Sequence, residues 1–136
     1  MISDAELLAA AARTLEGSAF RLHGRDPATG LDCVGLIAAS LGLIGRDICV
    51  PNGYSLRRCD PAPFLSHAQL AGFREWEGSP SAGDVVLVRP SAGQFHLLLA
   101  VSANKFAHAH AGVGRVVITD RPQNWPTVRQ WRLSDD

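Results

Sequence analysis

Gly30-Leu31-Asp32-Cys33-Val34-Gly35-Leu36-Ile37 has the layout of a reactive thiol. A turn residue comes first, then an acid, then a cysteine, then an apolar run of helical character. This predicts Cys33 in the first turn of a helix, with Asp32 as the N-cap accepting from free backbone N–H groups. Those N–H groups and the positive end of the helix dipole favour an anion. A thiolate is an anion, so the expectation is a lowered pKa and a better nucleophile. The plainer reading of any single cysteine is a buried, inert one.

A nucleophilic thiol needs a base in hydrogen-bond reach and a group to orient that base. Of the five histidines, His96, His108 and His110 fall on predicted strands. An odd-numbered loop near Ser102 sets His96 and His108 opposite each other on one face of a hairpin. A two-residue loop at 103–104 flips that parity. His110 shares the His108 face because side chains alternate along a strand. His23 and His67 lie in polar or turn-rich surroundings and read as surface residues. A cysteine at a helix start, far in sequence from strand histidines, is the pattern of a cysteine hydrolase. The rival chemistry is a zinc site built from His108, His110 and His96, which leaves Cys33 without a role.

The elements that must position these groups follow from periodicity and punctuation. Ser3 with Glu6 is a capping-box pattern, and Leu7, Leu8, Ala11 and Leu15 recur at helical spacing. A first helix is expected over 3–16, stopped at Gly17. Residues 18–31 are a loop rich in turn formers, and a core helix follows over about 32–43. Residues 46–63 hold Pro51, Pro61 and Pro63 and form no single regular element; Tyr54 lies here, facing the site. A short helix is expected over 62–71. Strands are expected over 84–89, 95–101, 105–111, 115–119 and 128–133. Helices followed by an antiparallel meander make an α+β fold, with one domain over 1–136.

Composition narrows the function classes. The chain has 136 residues, 46% of them hydrophobic and 19% charged, which suits a globular domain. Lys+Arg and Asp+Glu both number 13, for zero formal net charge. That argues against a nucleic-acid surface. No apolar span is long enough for a membrane helix, and no signal-peptide pattern opens the chain. Cytoplasmic synthesis without a signal peptide is therefore expected. Three cysteines make no disulfide framework; Cys49 and Cys59 read as reduced packing residues.

Four ordered blocks resemble the NlpC family of papain-like bacterial cell-wall peptidases. They are Asp32-Cys33-Val34-Gly35-Leu36, Ala82-Gly83-Asp84-Val85-Val86-Leu87, His96-Leu97-Leu98-Leu99-Ala100 and Phe106-Ala107-His108-Ala109. Phe20-Arg21-Leu22-His23-Gly24 also resembles the family's Tyr-x-x-x-Gly segment. The resemblance spans roughly residues 5–120. It implies a papain-like fold, with N-terminal helices packed on the sheet, and a Cys-His-His triad. Cys33 would attack an amide carbonyl, His96 would shuttle the proton and His108 would orient His96. The Cys33 N–H would help hold the oxyanion. The implied substrates are peptidoglycan stem peptides, with no metal or cofactor required. Asp32, Val34, Phe20 and Tyr54 are the expected substrate-side residues.

The sequence departs from the family pattern at three points. Val34 stands where the family often has Ser, Phe20 where it often has Tyr, and the glycine after the base histidine is replaced by Leu97. The compact form with Val after the cysteine resembles members carried by phage tails or gene-transfer particles, which implies phage tail proteins as partners. Three other outcomes stay open at this level. They are an inactive binding or structural module, the zinc hydrolase, and acyl transfer through the same thiol.

Overall fold

A computed structural model describes residues 2–46, 71–121 and 124–135. Tyr54, Cys49, Cys59, His67 and, apart from Ala71, the expected helix over 62–71 lie outside the described residues.

Helix α1 (Asp4–Thr14) begins where the capping box requires. Ser3 accepts from the Glu6 N–H and Glu6 reaches back to the Ser3 N–H. These contacts satisfy donors that the first helical turn leaves unpaired. The next segment is more ordered than its turn residues imply. Two-residue strands β1 (Arg25–Asp26) and β2 (Gly30–Leu31) pair antiparallel. Helix α2 (Cys33–Leu43) follows at once, with Asp32 as its N-cap. It is buried over most of its length, and Leu36 and Leu41 are almost fully enclosed.

The remaining strands are β3 (Phe73–Glu75), β4 (Val85–Ser91), β5 (Gln94–Ala100), β6 (Lys105–His110), β7 (Arg115–Asp120) and β8 (Thr127–Leu133). They form one antiparallel sheet in the order β3-β8-β4-β5-β6-β7. β4 to β7 are the expected meander. β8 does not extend it past β7 but returns to the other side of β4. That placement buries Trp131 and Leu133 in the core shared with the helices. β3 was not legible from its sequence; it is three residues long and, among the described residues, pairs only with β8.

The sheet separates two apolar clusters. Alternation along β5 sends Phe95, Leu97 and Leu99 to the larger one, with Leu31, Cys33, Leu36 and Leu41. Leu98 and Ala100 face the smaller one, with Val86, Val88, Phe106 and the ring of Trp125. Both helices pack on the larger face. At Gly83, φ is +92°, and a Cβ would lie 2.1 Å from the Ala5 carbonyl oxygen. Only glycine lets α1 approach the sheet there.

The following Asp84 carboxylate is wholly buried. Arg132 grips it through Nε to Oδ1 and Nη2 to Oδ2, both at 2.9 Å. The Ser81 N–H and Gln130 Nε2 complete its partners, and the Arg132 guanidinium stacks on Trp76 at 3.7 Å. This pair ties the start of β4 to β8. Removing one partner strands the other charge inside the protein. Arg132→Ala therefore lowers the unfolding free energy by about 3–5 kcal/mol. Lys105→Ala, which removes the exposed pair to Asp120, changes it by less than about 1 kcal/mol. Urea unfolding of the two variants measures both.

Candidate active site

The start of α2 is held by one carboxylate. Asp32 is 1% exposed. Its Oδ1 accepts from the Gly35 N–H at 2.8 Å and from Arg25 Nη1 at 3.0 Å. Its Oδ2 accepts from the His23 N–H at 2.8 Å. The 23–25 segment is thereby fastened across the first turn of the helix. The approach is close: a Cβ on Gly35 would lie 1.9 Å from the Gly24 carbonyl oxygen. His23 takes φ +60° to make this crossing, a conformation uncommon outside glycine.

Cys33 sits in that first turn and is 2% exposed. The expected lowering of its pKa is not found. Burial pushes the thiol up from 9.0 to about 12, and the adjacent Asp32 carboxylate adds to the rise. The backbone N–H groups of Leu97, Val34 and Cys33 reach the sulfur and pull the other way without winning. The helix-start argument identified the donors correctly. It left out desolvation and the N-cap's own negative charge, which both oppose a thiolate.

Cys33 packs with Leu97 and Leu99 in the larger cluster, whereas alternation along β5 turns His96 to the face of Leu98 and Trp125. Among the described residues no hydrogen bond joins the thiol to an imidazole. His96 is half-buried, and its Nε2 lies 3.1 Å from His108 Nδ1. The rings meet edge to face, with centroids 5.2 Å apart and planes at 76°. The β5–β6 register pairs Leu99 with Ala107 and Ala100 with Phe106. His96 and His108 therefore share a face, as an odd-numbered loop demands. They are diagonal neighbours rather than directly opposite, because the register is centred one residue later than Ser102.

Two further residues complete the cluster, and neither was singled out from sequence. Thr119 on β7 places Oγ1 3.0 Å from His108 Nε2. Trp125 stands edge-on to both rings, at 5.7 Å from His96 and 6.2 Å from His108. The His108–Val117 pairing sets Thr119 diagonal to His108, a relation that needs the register and not just the alternation. Trp125 lies in a loop, where no periodicity marks a residue for the site.

The other expected site residues fall as follows. Val34 packs in the larger core, and Phe20 is half-buried against it. The Asp32 carboxylate is directed into the protein. His110 turns Nδ1 to accept the Val113 N–H at 3.0 Å. Among the described residues no three His, Cys, Asp or Glu side chains are grouped to hold a metal ion. A cleft of about 310 Å³ lies at the β3–β8 edge, lined by Trp76, Arg121, Thr127 and Arg129 among others. It contains none of the expected site residues.

Burial holds both imidazoles neutral. It lowers His96 to about 3, helped by the charges His108 and His110 would carry. It lowers His108 to about 4, helped by His110. At neutral pH the thiol is thus protonated and both rings are uncharged, one bonded to the other.

No protein-family model and no curated protein sequence matches the chain. Solved structures do. NlpC2 from Trichomonas vaginalis superposes with a TM-score of 0.70 at 19% identity, over 98% of this chain and 47% of that one. This chain thus spans about half of that protein's length. The NlpC/p60 domain of the peptidoglycan hydrolase SagA gives 0.64 at 24% identity, over 90% and 95% of the two chains. The P60 domain of the antigen MAP1204 from M. avium subspecies paratuberculosis gives 0.62 at 18%, over 95% and 93%. The chain has the α+β fold of NlpC/P60 domains.

The depressed histidine values set an acid limit on the fold. The unfolded chain binds protons on these rings near pH 6.5, whereas the folded protein resists them until about 3 to 4. Stability present above pH 6.5 is therefore lost as pH falls through that window. Urea midpoints measured at steps from pH 7 to pH 4 fall. In His96→Gln they fall less steeply, because one resisted proton is gone.

Proposed function

We propose that this chain is a cysteine peptidase or amidase that hydrolyses peptidoglycan stem peptides. The observation that carries the reading is the 3.1 Å contact between His96 and His108, with His96 next along β5 to Leu97, which packs with Cys33 in the core. The likeness in fold to a peptidoglycan hydrolase domain supports the substrate class.

The neutral state of the cluster shapes the chemistry. With the thiol protonated and His96 uncharged, the proton moves as the sulfur attacks. His96 Nε2 is committed to His108, so Nδ1 is the nitrogen that takes it. Sulfur bonds to the amide carbonyl carbon, and the thiol proton passes to His96. In this scheme the Cys33 N–H helps hold the oxyanion. On collapse the C–N bond breaks and the amine leaves with the His96 proton. Water then attacks the thioester, His96 takes its proton and returns it to the sulfur, and the acid is released. Catalytic hydrogen bonds commonly tighten only in the reacting complex, which accommodates the missing thiol–imidazole bond. Asp32 acts in this scheme by holding the helix start, and Val34 and Phe20 by shaping the wall beside it.

Cys33→Ala and His96→Ala reduce cleavage of purified muropeptides to background. His108→Ala retains a residue of activity, about 10²–10⁴-fold below the starting protein. Alkylation of Cys33 by iodoacetamide is slow at neutral pH and still climbs above pH 9, the ordinary thiol value. Undiminished cleavage by Cys33→Ala overturns the mechanism, as does inhibition by a chelator but not by an alkylator.

The burial of the thiol favours a second reading, a wall-peptide-binding module without turnover. Muropeptide binding by calorimetry with no hydrolysis selects it. Carriage by a phage tail or gene-transfer particle is the finer part of the proposal, motivated by Val34 after the cysteine. Recovery of this chain in purified particles by mass spectrometry supports carriage, and its absence from them removes it.

A further inference from the structure

The chain of ring contacts does not stop at His108. It runs diagonally across three strands, from His96 on β5 to His108 on β6 to Thr119 on β7, with links of 3.1 and 3.0 Å. Two neutral imidazoles in series carry one ring proton each. Those protons can be arranged in two ways. In the first, His96 Nε2–H donates to His108 Nδ1, and His108 Nε2–H donates to Thr119 Oγ1. In the second, every link is reversed: the Thr119 hydroxyl donates to His108 Nε2, and His108 Nδ1–H donates to His96 Nε2. His96 must then carry its proton on Nδ1.

Only the first arrangement leaves Nδ1 of His96 bare. The second puts a proton on His96 Nδ1, for which no acceptor is found among the described residues, and a buried donor without an acceptor is rarer than an acceptor without a donor. We infer that the Thr119 hydroxyl accepts from His108 Nε2–H and thereby fixes the proton order of the whole chain, making Thr119 a positioning residue for the base. Its bearing on catalysis rests on the peptidase reading; the proton order itself does not. His108 is 2% exposed, so its Nε2–H cannot turn to water if Thr119 is lost. An orphaned buried donor is costly. The ring relieves it by moving the proton to Nδ1, which donates to His96 and forces the unproductive order. Trp125, edge-on to both rings, contributes no acceptor in its place, because an indole only donates.

Thr119→Val keeps a β-branched side chain on the strand and deletes the acceptor. Thr119→Ser restores it. Imidazole ¹⁵N spectra of histidine-labelled protein at neutral pH report which ring nitrogen carries each proton. The signals of His96 and His108 are assigned against His23→Gln, His67→Gln and His110→Gln. The expected result is Nε2–H on both rings in the unsubstituted protein and in Thr119→Ser, with His108 moved to Nδ1–H in Thr119→Val. Muropeptide turnover is the second readout. Thr119→Val lowers kcat roughly 10–100-fold with KM unchanged, and Ser rescues it. Replacing a triad's own orienting residue costs about 10⁴, so the effect one bond further out is smaller. Nδ1–H on His108 in the unsubstituted protein overturns the inference, as does an unaltered proton order in Thr119→Val. If Thr119→Val fails to fold, the unsubstituted and Ser spectra still decide it. The expected spectra from a protein without turnover uphold the proton order and reject the peptidase reading.

Discussion

One buried carboxylate determines where the thiol sits and how it behaves. Asp32 caps α2, and in the same arrangement it draws the His23 N–H and the Arg25 guanidinium against the helix mouth. The first turn of the helix is fixed from two sides, and Cys33 with it. The close passage of the Gly24 carbonyl past Gly35 adds a steric clamp that no side chain at 35 would permit. The same negative charge stands beside the sulfur and opposes a second one there. Position and reactivity are therefore coupled. The residue that fixes the thiol's position also adds to the burial that keeps it protonated.

The sheet makes the complementary demand. Both imidazoles lie on the second face of the sheet, against Trp125, and burial there holds them uncharged. The price of enclosure is that each ring nitrogen needs a partner, since water cannot supply one. The strand register meets that need by diagonal steps, His96 to His108 and His108 to Thr119. A shift of one residue in either hairpin sends the rings to opposite faces. The β5–β6 turn therefore matters to the chemistry as much as any residue within the cluster.

The parts of this arrangement legible in the sequence are those set by local rules. The capping box at Ser3 and the N-cap at Asp32 depend on residues three apart, and both helices begin where those rules place them. The long strands announce themselves by β-branched runs and alternation. What eluded the sequence depends on distant partners. β3 is a strand only because β8 lies beside it. β8 returns to β4 because Trp131 and Leu133 find the helical core there. Thr119 and Trp125 are ordinary residues until the register brings them to the histidines. The raised thiol pKa belongs to the same class, because desolvation is the sum of everything packed around the sulfur.

Neutrality at the site bears on how the substitutions relative to the NlpC pattern are read. A preformed thiolate–imidazolium pair draws support from polar groups and water at its rim. A neutral pair gains nothing from them. Val34 lies in the core with Phe20 half-buried against it, where the NlpC pattern that the sequence resembles often has Ser and Tyr. Under the proposed mechanism, charge would arise only during reaction, when the oxyanion and the imidazolium form together. At that moment the Cys33 N–H, the ordered rings and the low-dielectric surroundings act most strongly, because nearby charges attract more in a dry interior than in water. The apolar departures are then consistent with a catalytic site that relies on preorganised donors rather than on a standing ion pair.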